Sequence, residues 1–424
     1  MRLYSKTDSY ELYQGNMLEL REYIQPESID SIITDPPYEL GFMGKRWDNS
    51  GIAFQKETWE KLYEVLKPGG YLLAFGGSRT FHRIACAIED AGFEIRDTIM
   101  WLYGSGFPKS MNIGLAIDRK NGVESKAIKS CGTMPDFQDA GKNNTINKIG
   151  FNDGETAERK EYFIYEAQNQ WNGWGTTLKP SYEPIIMARK PCEGNCTDNV
   201  IKYGVGGINI DECRIDHAEK PKYTDRTPKS GSVFNTDTSG YDNTKNHLAS
   251  ADERGRFPAN TILTYDESDF EEVCGGMPYT KSTGGSGEAS RKSTLNNFEG
   301  GWKKEKICDH LGGLGDSGSA SRYFYCAKAS KKDRNEGTQK NIHPTVKPTN
   351  LMQYLIRLVT PKGGIVLDPF NGSGSTGKAV MYENKERNSD YKYIGIELTG
   401  EYLPIAEERI NYAIGQQMTL NMEN

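Results

Sequence analysis

The sequence predicts an α/β fold in which a doubly wound, mostly parallel sheet is interrupted by a long, loop-rich insertion. Three observations predict it. Apolar runs typical of buried strands alternate with amphipathic helical segments over residues 10–110. The same alternation returns after residue 348, whereas residues 190–341 show no clean period and carry many glycine-rich turns. Strands that alternate with helices at this spacing are typical of parallel sheets covered by helices.

The predicted elements of the first part follow one another with short turns. The strand at 29–34 is apolar and β-branched, and the helices end at glycines or at a proline. In chain order we expect a strand-like alternation over 10–18 that turns at Gly15-Asn16, a strand over 29–34, a helix over 58–67, a strand over 71–75, a helix over 80–91 and a strand over 93–102.

Regular structure is predicted again at the end of the chain. One further strand, over 182–189, precedes the insertion. After it we expect a helix over 348–359, a strand over 364–367, a helix over 375–382, a strand over 393–396 and a helix over 402–413. The chain therefore divides into three predicted parts, residues 1–190, residues 191–341 and residues 342–424.

Composition narrows the class of protein. The chain has 424 residues, of which 36% are hydrophobic, and a net charge of −6, so any nucleic-acid contact must be a local basic patch. It has no apolar run long enough for a membrane span and no signal peptide. We expect a soluble cytoplasmic protein without membrane contact, and the 8 scattered cysteines are expected to be reduced thiols.

One tetrapeptide, Asp35-Pro36-Pro37-Tyr38, follows the strand at 29–34 directly. Two prolines cannot continue a sheet ladder, so the strand ends there, at the edge where open α/β sheets bind ligands. A carboxylate and a carbonyl are both acceptors and can hold an amino group with two hydrogens. The tyrosine ring offers a face on which a flat heterocycle can stack. The residues alone also allow a proline turn in which Asp35 is a cap and Tyr38 is a core residue.

A glycine-rich turn follows the strand at 364–367. The sequence Asp368-Pro369-Phe370-Asn371-Gly372-Ser373-Gly374-Ser375-Thr376 joins this strand to a helix. Glycines there allow close approach of the backbone to a ligand, at a helix N-terminus that directs N–H groups toward it. Glu397 ends the next strand, where an acidic residue can bind ribose hydroxyls.

Together the two motifs resemble those of the amino-methylating DNA methyltransferases that use S-adenosylmethionine. The tetrapeptide at 35–38 is similar to their catalytic motif, and residues 368–374 are similar to their cofactor motif, with Glu397 as the ribose-binding acid. Residues 343–348 resemble the segment that closes over the methionine part of the cofactor. The catalytic motif precedes the cofactor motif, as in the β group of the family, which includes many phage and bacterial adenine methyltransferases.

This resemblance implies a Rossmann-like class I methyltransferase fold and assigns roles to the three parts of the chain. Residues 1–190 form the catalytic half, 191–341 the target-recognition region and 342–424 the S-adenosylmethionine-binding half. Adenine N6 is the expected target, because aspartate at the first motif position fits adenine better in this family; cytosine N4 and a catalytically inactive DNA-binding paralogue are the alternatives. The expected catalytic residues are Asp35, Pro36, Pro37 and Tyr38, and the expected cofactor-binding residues are Asp368, Pro369, Phe370, Gly372, Gly374, Ser375, Thr376, Glu397, Asn16, Thr345 and Lys347.

The implied partner is double-stranded DNA, with a homodimer and a cognate restriction enzyme as further expectations by resemblance. The target base must leave the duplex before its amino group can react. Basic residues after the catalytic motif and near the end of the insertion are candidates for DNA contact, although each can equally be a solvated surface charge. They are Lys45, Arg46, Lys328, Lys331 and Lys332.

Four residues have a spacing that zinc sites use, namely Cys192, Cys196, Cys213 and His217. Scattered thiols in a loop-rich segment explain the same pattern. We therefore expect no metal, since transfer of a methyl group to an amino nitrogen needs neither a metal nor a covalent enzyme intermediate.

Overall fold

The computed structural model describes residues 1–40, 46–103, 110–135, 159–215, 255–265, 279–281, 317–319, 324–328 and 333–421. These residues form two compact units. The larger contains Met1–Leu102, Glu183–Asn341 and Thr345–Asn424, and the smaller contains Tyr103–Tyr182 and Ile342–Pro344.

A ten-stranded sheet forms the centre of the larger unit, in the order β1-β2-β14-β13-β3-β4-β8-β5-β9-β12. Five neighbouring strands, from β2 to β4 in that order, are parallel, whereas β1 and β8 run antiparallel to their partners β2 and β4. The strands are β1 (Arg2–Lys6), β2 (Tyr10–Gln14), β3 (Ile29–Thr34), β4 (Leu66–Phe75), β5 (Glu94–Tyr103), β8 (Tyr182–Arg189), β9 (Thr261–Tyr265), β12 (Tyr325–Lys328), β13 (Ile365–Asp368) and β14 (Lys392–Glu397).

Both faces of the central strands are buried. All six residues of β3 are buried, and Ile32 and Ile33, which point to opposite faces, are both fully inaccessible. A strand that is covered on both faces reads as a continuous apolar run, which explains why its sequence does not alternate. The prediction of a Rossmann-like, mostly parallel sheet is thereby confirmed.

Helices lie between successive strands along the chain, and one helix follows the last strand. In the larger unit they are α1 (Lys56–Val65), α2 (Phe81–Asp90), α4 (Cys196–Tyr203), α5 (Thr349–Val359), α6 (Ser375–Arg387) and α7 (Leu403–Asn421). Several predicted boundaries differ from the structure. Helix α6 runs to Arg387 rather than to residue 382, and α7 runs to Asn421 rather than to residue 413. Strand β2 ends at Gln14, directly before the predicted turn at Gly15-Asn16, and Asn16 caps a 3-10 helix over Met17–Glu22 where the strand-like alternation was expected to continue. Strand β4 begins at Leu66 rather than at residue 71, because Leu66 already pairs with Ile29 of β3.

The smaller unit contains helix α3 (Ile113–Asn121) and an antiparallel pair of strands, β6 (Lys126–Pro135) and β7 (Arg159–Glu166). The sequence of this unit is polar and rich in Asn and Lys, and it lacks the alternation of apolar and polar residues from which strands are predicted. Strands β10 (Tyr279–Lys281) and β11 (Ser317–Ser319) form a further antiparallel pair. Strands β9 and β12 come from the predicted insertion but extend the central sheet, so part of residues 191–341 belongs to the main fold.

A buried ionic cluster joins the segment before α5 to helices α6 and α7. Lys378 and Arg409 are fully buried, and Lys378 Nζ lies 2.7 Å from both Asp333 Oδ1 and Glu336 Oε2. Asp333 also accepts hydrogen bonds from the backbone N–H and the hydroxyl of Thr349, at the start of α5. The Asp333 carboxylate thus accepts hydrogen bonds at the start of α5 and is also the shared anion of Lys378 and Arg409.

Removal of the Asp333 charge is expected to destabilise the fold strongly. In Asp333→Asn two buried cations lose their shared anion, and the loss of one partner of a buried ion pair costs about 3–5 kcal/mol. Chemical denaturation measures this loss. Glu60→Gln is the matched control, because both side chains of the Lys56–Glu60 pair are exposed and such a pair contributes about 1 kcal/mol or less. Equal losses for the two variants would contradict the role of the cluster.

Candidate functional site

The carboxyl ends of four neighbouring parallel strands meet at one edge of the sheet. Strand register places Glu397 of β14 beside Gln14 of β2, and Asp368 of β13 beside Gly395 of β14. Strand β3, which ends at Thr34, lies on the other side of β13. The two sequence motifs, distant in the chain, therefore lie side by side, as the sequence predicts for an open α/β sheet.

The Asp35 carboxylate has two different environments. Its Oδ2 atom lies 2.5 Å from Lys347 Nζ, within an ion pair. Its Oδ1 atom is buried and, among the described residues, has no hydrogen-bond partner. A buried carboxylate oxygen without a donor is costly, and such atoms are characteristic of binding sites. This oxygen is therefore available to accept a hydrogen bond from a ligand.

Two hydrogen bonds fix Tyr38, one at its backbone carbonyl and one at its side-chain hydroxyl. Thr80 Oγ1 donates a hydrogen bond of 2.8 Å to its backbone carbonyl, and its own hydroxyl donates one of 2.7 Å to Glu183 Oε2. Burial, reinforced by the carboxylates of Asp35 and Glu183, raises the pKa of Tyr38 well above its usual value, so the hydroxyl remains protonated and keeps this bond. The ring is thereby fixed beside Asp35.

Lys347 lies between two carboxylates. Its Nζ atom is in contact with Asp35 and lies 3.5 Å from Glu183 Oε2. The ammonium also lies 4.9 Å from the centre of the Phe75 ring and 5.3 Å from that of Tyr38. Burial lowers the pKa of Lys347, but the two carboxylates outweigh burial and raise it, so that the side chain is charged.

Asp368 links the glycine-rich turn to strand β3 through hydrogen bonds. Its Oδ1 atom accepts hydrogen bonds from Thr34 Oγ1 at 2.7 Å and from the backbone N–H of Phe370 at 3.1 Å. Its Oδ2 atom accepts one of 2.6 Å from Thr376 Oγ1. Burial raises the pKa of Asp368 to about 6, although these donors favour the charged form.

This raised pKa predicts a pH dependence of stability. The folded chain takes up a proton at Asp368 near pH 6, and the unfolded chain does so only near pH 3.8, so acidification through this window favours the folded state. Relative to Asp368→Asn, the wild type should gain about 1–2 kcal/mol of unfolding free energy between pH 7 and pH 5. Denaturation of both proteins without ligand measures the difference. The prediction would be contradicted if the difference in unfolding free energy between the two proteins were the same at pH 7 and pH 5, or if acidification stabilised the variant more than the wild type.

The glycine-rich turn has the backbone geometry that its sequence predicts. Gly372 and Gly374 have φ angles of 52° and 74°, and a Cβ on Gly374 would lie 2.9 Å from Cα of Ala406 in helix α7. Helix α6 begins at the next residue. Arg409 supports the turn from behind, because it donates hydrogen bonds to the Ser373 carbonyl and to the hydroxyls of Ser373 and Ser375.

Glu397 closes the same turn. Its Oε2 atom accepts a 2.7 Å hydrogen bond from the backbone N–H of Gly372, and its Oε1 atom one of 2.7 Å from that of Thr399. Burial raises the pKa of Glu397, and the two backbone donors oppose this rise. Asn16 lies at the end of neighbouring β2, where its Oδ1 atom caps the following 3-10 helix. Each Glu397 oxygen can accept a further hydrogen bond.

The other residues predicted for the site have varied surroundings. Pro36, Pro37 and Pro369 are buried, Phe370 is half-buried and Thr345 is exposed.

Among the proposed DNA-contact residues, Lys45, Lys331 and Lys332 lie outside the described residues, as do the side chains of Arg46 and Lys328. His217 also lies outside them, and within the described part of the chain no group of three metal-ligating side chains is suitably arranged. Burial raises the pKa of the Cys213 thiol to about 12.

Two residues of this region were missed by the sequence analysis. Glu183 is the second residue of β8, which runs antiparallel to β4, so the first residues of β8 lie at the carboxyl edge of the parallel strands. An acidic residue directly before the apolar run at 184–188 was the available signal. The sequence contains no signal for the role of Arg409, because this residue lies among the polar positions of an ordinary amphipathic helix.

The chain belongs to the DNA methylase family, whose model matches residues 29–408. The family defines the class of reaction, site-specific methylation of DNA, and S-adenosylmethionine is the cofactor. No helix among the described residues is long and apolar enough to cross a membrane.

The chain is also similar to curated relatives and to solved structures. The type II methyltransferase M2.LlaDCHI of Lactococcus lactis subsp. cremoris is 25% identical over 48% of this chain and 81% of its own length. The type II methyltransferase M.HpaI of Haemophilus parainfluenzae is 36% identical over 23% of this chain and 32% of its own length. The cytosine-N4-specific PvuII DNA methyltransferase, 14% identical, has a TM-score of 0.41 over 95% of this chain and 87% of that chain. The M1.HpyAVI–SAM complex, 15% identical, has a TM-score of 0.37 over 95% of this chain and all of that one.

The residues at the strand ends fit S-adenosylmethionine. Bound S-adenosylmethionine would offer ribose hydroxyls, which the remaining lone pairs of Glu397 could accept, and an adenine ring, for which Phe370 would provide apolar surface and Asn16 an amide group. The positive φ angles of Gly372 and Gly374 bring the backbone near this space without a side chain in between. The donors and acceptors therefore match the chemistry of the cofactor.

Proposed function

We propose that this chain transfers a methyl group from S-adenosylmethionine to the N6 amino group of adenine in DNA. The observation that carries the proposal is the buried Asp35 Oδ1 atom, which lacks a donor among the described residues. It lies next to Pro36, whose own carbonyl provides a second acceptor. An exocyclic amino group has the two hydrogens that such a pair can accept.

The amino nitrogen of adenine is a poor nucleophile, because its lone pair is delocalised into the ring. S-adenosylmethionine supplies an electrophilic methyl group. Asp35 Oδ1 and the Pro36 carbonyl accept the two N–H groups and so favour a tetrahedral nitrogen, with its lone pair directed at the methyl group. Tyr38, fixed by Thr80 and Glu183, stacks on the base. The rate then comes mainly from positioning in a site that excludes water.

The base must be turned out of the duplex to reach this site, at a cost of a few kcal/mol. We assign recognition of the surrounding sequence to residues 191–341, outside the strands that join the central sheet. The catalytic motif at 35–38 precedes the cofactor motif at 368–374, which supports assignment to the β group of the family. Homodimerisation, a cognate restriction enzyme and association with the nucleoid are further proposals that rest on the resemblance.

Adenine N6 is preferred over cytosine N4 because the first residue of the catalytic motif is aspartate, where the cytosine enzymes more commonly have serine. The same two acceptors can nevertheless hold the N4 amino group of cytosine. That reaction is therefore the second candidate, and it would use the same residues in the same roles.

Methylation-aware single-molecule sequencing of DNA from cells that express this protein tests the proposal. We expect N6-methyladenine in one short sequence motif, and none in cells that express Asp35→Ala. N4-methylcytosine in place of N6-methyladenine would refute the choice of base. Unmodified DNA from cells with the intact, folded protein would refute the proposed function as a whole.

A further inference from the structure

We propose that Glu183 is a positioning residue for methyl transfer, which sets the charge beside Asp35 by sharing Lys347 with it. This inference rests on the proposed function and extends it to a residue outside both sequence motifs. Glu183 is the second residue of the antiparallel strand β8, and its Oε2 atom contacts both the Tyr38 hydroxyl and Lys347.

Among the described residues, this cluster consists of the carboxylates of Asp35 and Glu183 and the ammonium of Lys347, and its net charge is counted over these three side chains. Lys347 Nζ is 2.5 Å from Asp35 Oδ2 and 3.5 Å from Glu183 Oε2, and its side chain is 9% exposed. With Glu183 the cluster has a net charge of −1; without it, Lys347 would neutralise Asp35 alone. Charges in a site with little water interact much more strongly than charges at the surface.

This residual negative charge matters in the reaction. When the amino nitrogen takes the methyl group, an N–C bond forms as the S–C bond breaks, and one positive charge moves from sulfur to nitrogen. The nitrogen then releases a proton to solvent. A site that is negative on the side of the amino nitrogen stabilises this movement of charge, and fixed charges of this kind are worth most when they need no reorganisation.

Glu183 also orients the stacking ring, and the two roles can be separated by substitution. Glu183→Gln keeps an oxygen that can accept the Tyr38 hydrogen bond but removes the charge. Tyr38→Phe removes the hydrogen bond and keeps the charge. Glu183→Asp keeps the charge on a shorter side chain. If charge is the main contribution, the glutamine variant must be the slowest of the three.

Single-turnover methylation of DNA by the full chain, with all methylated nucleosides quantified by mass spectrometry, tests the inference. We expect Glu183→Gln to lower the rate about 100-fold, with the Kd for S-adenosylmethionine unchanged within about threefold. Tyr38→Phe should lower the rate about tenfold or less, and Glu183→Asp should remain within about tenfold of the wild type. Glu193→Gln is the matched control, because Glu193 is an exposed glutamate paired with Lys202 beyond β8.

Three results would overturn the inference. They are a rate for Glu183→Gln within about threefold of the wild type, an equal loss in Glu193→Gln, and a loss in Glu183→Gln that is matched by Tyr38→Phe. If the wild type forms N4-methylcytosine, the choice of base fails while the role of Glu183 is still decided by the variants. A wild type that methylates neither base would overturn both proposals together.

Discussion

Replacement of Asp35 by asparagine is expected to reduce the rate of DNA methylation by about 10³-fold or more, with little change in cofactor affinity. Asparagine has nearly the same shape, but its neutral oxygen is a weaker acceptor for an amino group that becomes positive. The change also removes one of the two anions beside Lys347. A single-turnover rate and a calorimetric titration with S-adenosylmethionine measure the two quantities separately.

The control for this variant is Asp90→Asn, an exposed aspartate at the end of α2. It should retain wild-type activity. Thermal unfolding of both variants establishes that the fold is intact. A loss of cofactor affinity in Asp35→Asn as large as the loss of rate would contradict the assignment of this residue to the amino group.

Replacement of Glu397 by glutamine is expected to have the opposite profile. The change removes the buried charge and exchanges one of the two acceptor oxygens for an NH2 group, so it weakens acceptance of hydrogen bonds from the ribose hydroxyls and removes one of the backbone contacts at Gly372 and Thr399. Hydrogen bonds to charged groups contribute about 1.5–3 kcal/mol each, which corresponds to a Kd for S-adenosylmethionine that rises about 10- to 100-fold. At saturating cofactor the rate should fall much less.

Glu401→Gln is the matched control, because Glu401 is exposed and lies only four residues further along the chain. Its cofactor affinity should equal that of the wild type. The assignment of Glu397 would be contradicted if Glu397→Gln bound S-adenosylmethionine normally and failed only in the transfer step.

Local signals made the central sheet and both motifs predictable. Apolar runs stopped by Pro36-Pro37 or by Gly372 identify strands and the edge at which they end, and parallel strands bring those ends together. The three parallel strands that position Asp35, Asp368 and Glu397 were all expected from the sequence. The physical reason is that burial on both faces requires a continuous apolar sequence.

Long-range polar contacts were not predictable in the same way. Glu183 reaches the site only because β8 runs antiparallel to β4, and strand direction is not encoded in the apolar pattern. Lys347 was expected at the cofactor, but its closest partner is the carboxylate of Asp35. The cluster around Asp333 depends on side chains from four segments, namely the segment before α5 and helices α5, α6 and α7. The type of a polar residue in the sequence does not reveal whether that residue is solvated or has a buried partner.

We propose above all that Asp35 holds an amino group of DNA while it receives a methyl group from S-adenosylmethionine. This reaction is measured most directly with the purified protein, S-adenosylmethionine with an isotopically labelled methyl group, and unmethylated genomic DNA, followed by mass spectrometry of the nucleosides. We predict labelled N6-methyladenine with the wild type and about 10³-fold less with Asp35→Asn. The proposed reaction would be contradicted by DNA that remains unlabelled with a wild type that binds the cofactor, or by equal labelling with the two proteins.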